Sequence, residues 1–75
     1  VLTTEDGIKR IKEFFGNLIE WKNINDLIPE NFLQSKNQKR SGIAGIFAGS
    51  LELAKEGDLS IKQNNLFEDI YIKEK

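Results

Sequence analysis

The chain has no cysteine and no histidine among its 75 residues, and only one proline and one tryptophan. Without cysteine there is no disulfide and no thiolate metal site, a composition that suits a reducing compartment. Without histidine or cysteine, the commonest general base and the thiol nucleophile are both missing. No apolar run approaches the roughly 20 residues of a membrane span, and no secretory leader pattern is visible. An excess of charge is lacking too. Eleven basic and twelve acidic residues leave a net charge of −1. Phosphate contacts supply much of the affinity of nucleic-acid-binding domains, which are therefore usually basic. The balance disfavours DNA or RNA as the main ligand and says little against a protein partner.

The length fits one small domain, and such a chain buries only about 60% of its unfolded surface. With no staples, its stability must come from packing or from a partner. The chain starts at Val1 rather than Met, so it is expected to be a piece of a longer protein.

What is present reads as short elements. Thr3 to Asp6 has the form of a capping box. Ile8, Ile11, Phe15 and Leu18 then share one helical face, flanked by Phe14 and Ile19, predicting a first helix over Glu5–Phe15. Gly16 ends it or loosens its last turn. Ile19 to Trp21 is a candidate short extended segment, with Trp21 expected to plug the core. Asn23 or Asn25 can cap a short second helix carrying Ile24, Leu27 and Ile28, and Pro29 disfavours its continuation. Phe32 and Leu33 are expected to continue the core, and Gln34 to Gln38 to form a turn or frayed helix start.

A third helix is predicted from Lys39 to Lys55 or Glu56, closed by Gly57 in the left-handed conformation. Leu59 to Gln63 alternates as a half-buried strand. Asn64-Asn65 tolerates the angles of a tight turn. Ile70 and Ile72 share one face of a second strand, with Tyr71 on the other. Helix, short strand, helix, helix, strand, turn, strand is the order of a winged-helix domain. The expected fold is therefore α+β, three helices with a two- or three-stranded β wing, as a single domain over residues 1–75.

The third helix carries more apolar surface than such a domain easily hides. At about 100° per residue, Ile43, Ala54, Phe47, Leu51 and Ala44 cover roughly a 100° arc. Ile46 and Leu53 widen it to nearly 180°, where a little over 100° is usual. Gly42, Gly45 and Gly49 fall on the opposite flank beside Glu52 and Glu56. Each internal glycine costs about 1 kcal/mol relative to alanine, and close approach of another backbone is the expected compensation. As core, the apolar arc is the central helix of a three-helix packing. As surface, one edge of it faces a partner. Phe47 and Leu51, at i and i+4, form a compact pair suited to an interface anchor.

From Arg40 to Ile72 the wording RSGIAGIFAGSLELAKEGDLSIKQNNLFEDIYI resembles the C-terminal winged helix of bacterial kleisins, the segregation and condensation protein A family. The matching elements are Phe47, Ala48, Ser50, Leu51, Glu52 and Leu53 on the helix, then Glu56, Gly57 and Leu59. Gln63 closes the first wing strand, and Phe67, Asp69, Ile70, Tyr71 and Ile72 form the second. Weaker matches are Glu5-Asp6 and the run Trp21, Ile24, Leu27, Ile28, Pro29, so that the resemblance covers nearly the whole chain. Glu68 departs from the family's usual glycine, and Gly45 and Gly49 stand where larger residues are common.

The resemblance implies a protein–protein interaction module that docks on the cap face of an SMC ATPase head. Docking there closes a ring used in chromosome condensation and segregation. It implies further that segregation and condensation protein B binds a middle region outside this chain. DNA would be reached only through the complex, and the setting would be cytoplasmic and nucleoid-associated, with no membrane partner. Carried over by position, Phe47 and Leu51 face the SMC head, and Phe67, Ile70, Tyr71 and Ile72 build the adjoining surface. Tyr71 is the better contact candidate of the wing and Phe67 the better packing residue. The wing's edge strand is free to pair with a strand of the head.

Three alternatives frame this reading. A DNA-binding winged helix would use Lys36, Lys39 and Arg40 at the start of the third helix; the bland reading of that cluster is a solvated helix start. A self-associating domain would close the apolar arc in a homodimer. Enzyme activity is not expected. The carboxylates are scattered among lysines, no glycine-rich phosphate loop is present, and no cofactor or metal is implied.

Overall fold

The computed structural model describes residues 1–66 and 68–75. Helix α1 spans Thr4–Lys12. Strand β1 is Lys22–Asn23, followed by 3-10 turns at Ile24–Leu27 and Glu30–Phe32. Helix α2 spans Lys36–Lys55. Strands β2, Leu59–Lys62, and β3, Tyr71–Glu74, complete an antiparallel sheet of order β1-β3-β2. The protein is thus a small α+β domain with two α-helices and a three-stranded sheet. The expected second helix is a single 3-10 turn. Asn23 caps it, its side-chain oxygen accepting from the Asn25 N–H at 2.9 Å, and Ile28 leaves it extended into Pro29, as the residue before a proline must.

The capping box forms as read. The Asp6 N–H donates to Thr3 Oγ1 at 3.1 Å, and the Thr3 N–H to Asp6 Oδ2 at 3.2 Å. The Thr3 backbone N–H, and after it the Thr3 hydroxyl, hold the Asp6 carboxyl below its ordinary value. A depressed carboxylate stabilises the folded state above its unfolded pKa of about 3.9, and that contribution is lost as pH falls through the lower folded value. Thr3→Ala is expected to cost about 0.5–2 kcal/mol at neutral pH, read as a lowered urea midpoint. The difference from the parent should shrink on acidification below pH ~4.

α1 is shorter than predicted, turning irregular after Lys12 until Gly16 at φ 95°. α2 begins three residues earlier than predicted. Ser35 caps it, its hydroxyl accepting from the Gln38 N–H at 3.2 Å, so of the turn and the helix start expected at Gln34 to Gln38 the helix start is what forms. Its other end closes as expected. Gly57 at φ 85° lets its own N–H reach the Ala54 carbonyl and the Asp58 N–H reach that of Leu53, both at 3.0 Å, the double-bonded cap that a left-handed residue permits.

The core gathers Ile11, Leu18, Ile24, Leu27, Ile46, Leu53, Leu59 and Ile72. Ile61 pairs with Ile72 in register, so the sheet's inner face carries Leu59, Ile61 and Ile72. Ser60, Lys62, Tyr71 and Lys73 alternate to the outer face. The Glu74 N–H donates to the Leu18 carbonyl at 2.9 Å, tying the end of β3 to the segment after α1. The Arg10 Nε donates to the Leu27 carbonyl at 2.7 Å, tying α1 to the first 3-10 turn.

The close backbone expected at the glycine flank of α2 is there: Gly42, Gly45, Ile46, Gly49, Ser50 and Leu53 are the buried face of the helix. There α1 crosses backbone against backbone. A Cβ on Gly7 would overlap the Gly45 carbonyl oxygen, and one on Gly49 would lie 2.7 Å from the Gly7 carbonyl carbon. Ser50 is accommodated by donating to the Ile46 carbonyl at 2.8 Å within the helix. Two expectations need correction. First, Trp21 does not plug the core; it is 39% exposed, and Leu33 is exposed as well. Second, β2 and β3 are not joined by a two-residue turn at Asn64-Asn65. Residues 63–70 separate them, and the Gln63 side-chain amide bridges that connection by donating to the Glu68 carbonyl at 2.8 Å.

Candidate docking surface

Because α2 spends its glycine flank on α1, its widest apolar arc is rotated away from the core. Ile46 and Leu53 are fully buried. Ile43, Phe47 and Ala54 are half-buried, with Ile43 and Phe47 packed against the rim of the core. Leu51 is 45% exposed and Ala44 is exposed. Phe47 and Leu51 are one turn apart on the same face, so a half-buried aromatic lies beside a largely open leucine. The small Ala44 next to them on the helix leaves that strip low. Such a strip carries no reactive group. What it can do is bury apolar area against a complementary surface, at about 25 cal/mol per Å² removed from water.

The wing candidates divide. Ile70 is half-buried and packs on the core, and its carbonyl accepts from the Ile24 N–H at 3.0 Å. Ile72 is fully buried. Its place on the inner face of the central strand removes it from any docking surface, contrary to the expectation from the resemblance. Tyr71 is half-buried on the outer face of the sheet, the side turned away from the core on which α2 packs. The structure therefore does not bring Tyr71 onto one surface with Phe47 and Leu51. Phe67 lies outside the described residues.

Lys36, Lys39 and Arg40 are exposed along the first turns of α2, where no acidic residue accompanies them. Among the described residues no group of histidine, cysteine and carboxylate side chains could hold a metal ion. No described helix is long and apolar enough to cross a membrane. The ion pairs among the described residues are Arg10–Glu13 at 3.1 Å and Lys55–Glu52 at 3.7 Å. Both are i,i+3 pairs at the surface, Arg10 being half-buried, and are worth a few tenths of a kcal/mol at most.

One cluster was not foreseen from the sequence. The Lys62 Nζ lies 4.6 Å and the Lys73 Nζ 5.7 Å from the centre of the Trp21 ring. Hydrophobicity alone assigned Trp21 to the core. Trp21 immediately precedes β1 and stands two residues before Asn23, which pairs with the outward Tyr71; the overlooked signal was that strand alternation carried back one residue places it outward. Compared with models of known families, with curated proteins and with solved structures, the chain matches none.

Proposed function

We propose that this domain is a protein-docking module of winged-helix type, of the kind bacterial kleisins carry at their C-terminal end. Its partner would be the cap face of an SMC ATPase head. The observation that carries the docking reading is the two-sided use of α2. The helix completes the core with its glycine flank and leaves the Phe47–Leu51 strip half-buried to open. Apolar area kept at the surface of so small a domain suits burial against another protein. The partner's identity rests on the wording from Phe47 to Ile72. The order of elements, helices followed by an antiparallel wing, is compatible with that class.

In this reading the domain anchors one end of a bridge between ATPase heads. Segregation and condensation protein B would bind elsewhere on a longer chain, and duplex DNA would be held by the closed ring on the nucleoid. ATP hydrolysis would belong to the head. Calorimetric titration of the domain against a purified SMC head, with duplex DNA in a parallel cell, tests it. One-to-one saturable binding to the head and none to the duplex is expected. Saturable binding to the duplex alone would replace this reading with the DNA-binding one and make Lys36, Lys39 and Arg40 its contacts.

A further inference from the structure

The outer face of the sheet lies opposite the core and carries its own chemistry. In register, Asn23 faces Tyr71 and Lys62 faces Tyr71 from the other side, while Ser60 faces Lys73. Continuing the β1–β3 pairing by one residue beyond Lys22↔Ile72 sets Trp21 beside Lys73. The indole and the two ammonium groups meet there, at 4.6 Å and 5.7 Å from the ring centre, with Trp21 39% exposed. Among the described residues neither lysine is in an ion pair. Two like charges thus share one aromatic ring, held by an interaction that is weak at exposed sites. On the Tyr71 side of this face, Asp69 accepts from Asn23 Nδ2 at 3.0 Å and shares a shallow hollow with Glu68 and Tyr71.

We propose that Trp21, Lys62 and Lys73 form a weak binding site for single-stranded nucleic acid, with one base stacked on the indole and the flanking phosphates on the two ammonium groups. A flat ring and anions adjoining within a few ångströms are what a nucleotide strand presents. An acidic peptide supplies the anions without the ring. A duplex keeps its bases stacked away. Stacking on an aromatic side chain is stronger than the lysine contacts it displaces, and the released lysines pass to phosphates that relieve their mutual repulsion. Two lysines on one face call for two successive phosphates, hence a strand rather than a mononucleotide. The site is independent of the docking strip on α2, and its test does not involve the SMC head.

Trp21 is the only tryptophan in the chain, so its fluorescence reports this site directly. Titration with a short oligothymidylate should quench it saturably. The slope of log K against log salt should be about −1.4, as two neutralised phosphates of a single strand give. Lys62→Ala and Lys73→Ala should each weaken binding and halve that slope. Trp21→Ala, followed by anisotropy of a labelled oligonucleotide, should weaken it roughly 5- to 100-fold with circular dichroism unchanged. Absence of saturable quenching would overturn the proposal. So would equal or tighter binding of duplex DNA, polyglutamate or thymidine monophosphate, or a folded Trp21→Ala variant that binds as the parent does.

Discussion

Gly7→Ala is expected to cost the domain ~3 kcal/mol or more, although it adds a single methyl group to a helix. Helix propensity alone predicts the opposite, a gain of about 1 kcal/mol. The crossing of α1 and α2 decides between them. A Cβ on Gly7 overlaps the carbonyl oxygen of Gly45 and stands 3.3 Å from the Ile46 nitrogen, and a Cβ on Gly49 stands 2.7 Å from the Ile8 nitrogen. These neighbours are backbone, so no rotamer change gives way. The helices must separate, and separation loosens Ile11 against Ile46 and Leu53, all fully buried. A chain of this length commands only about 4–11 kcal/mol in total. The loss should therefore appear as a large fall in the urea midpoint. Gly16→Ala is the control. Nothing lies near its Cβ, and only the positive φ of 95° penalises it, by about 1–2 kcal/mol. A Gly7→Ala variant as stable as the parent would mean that the helices do not cross so closely.

The same crossing explains what could and could not be read from the chain. Capping residues act over three or four positions, so Thr3 with Asp6 and Gly57 at the end of α2 were legible, and the alternation of Leu59 to Lys62 gave its strand. Ser35 was legible in principle, but the polar run behind it hid the helix start, because no apolar period marks the first turn of α2. The glycines were half legible for a physical reason. Three of them in one helix imply the close approach of another backbone, but which one depends on residues far off in the chain. Gly45 lies against Leu2 and Gly7, and Gly49 against Gly7 and Ile8, while Gly42 meets the Ile28 and Phe32 side chains. With the glycine face buried, the apolar arc had to turn outward, so whether Phe47 and Leu51 lay in the core was not decidable before α1 was placed. Trp21 is a different case: hydrophobicity points a large apolar residue inward, but the alternation leading into β1 points it to the outer face of the sheet.

Leu51→Lys is expected to leave the fold intact and to weaken binding to the SMC head by roughly 30- to 1,000-fold, the range of a lost interface anchor. Leu51 is 45% exposed, so the lysine ammonium reaches water and its stem covers the patch; the change in stability should stay within about 0.5 kcal/mol. Leu53, two residues on and fully buried, sets the contrast. Leu53→Lys forces an unpaired charge among Ile11, Leu27 and Ile72 and should unfold the domain outright. Phe47→Lys lies between them, since Phe47 is half-buried against the core, and should lower both stability and affinity. Ala44→Lys places a charge on the same strip at an exposed position and should weaken docking without affecting stability. Circular dichroism and the calorimetric titration, run on all four variants, separate the roles. If Leu51→Lys and Ala44→Lys fold and bind the head like the parent, the apolar strip of α2 is not the docking surface. If Leu51→Lys unfolds, the leucine belongs to the core, and the excess apolar arc loses its meaning as a partner site.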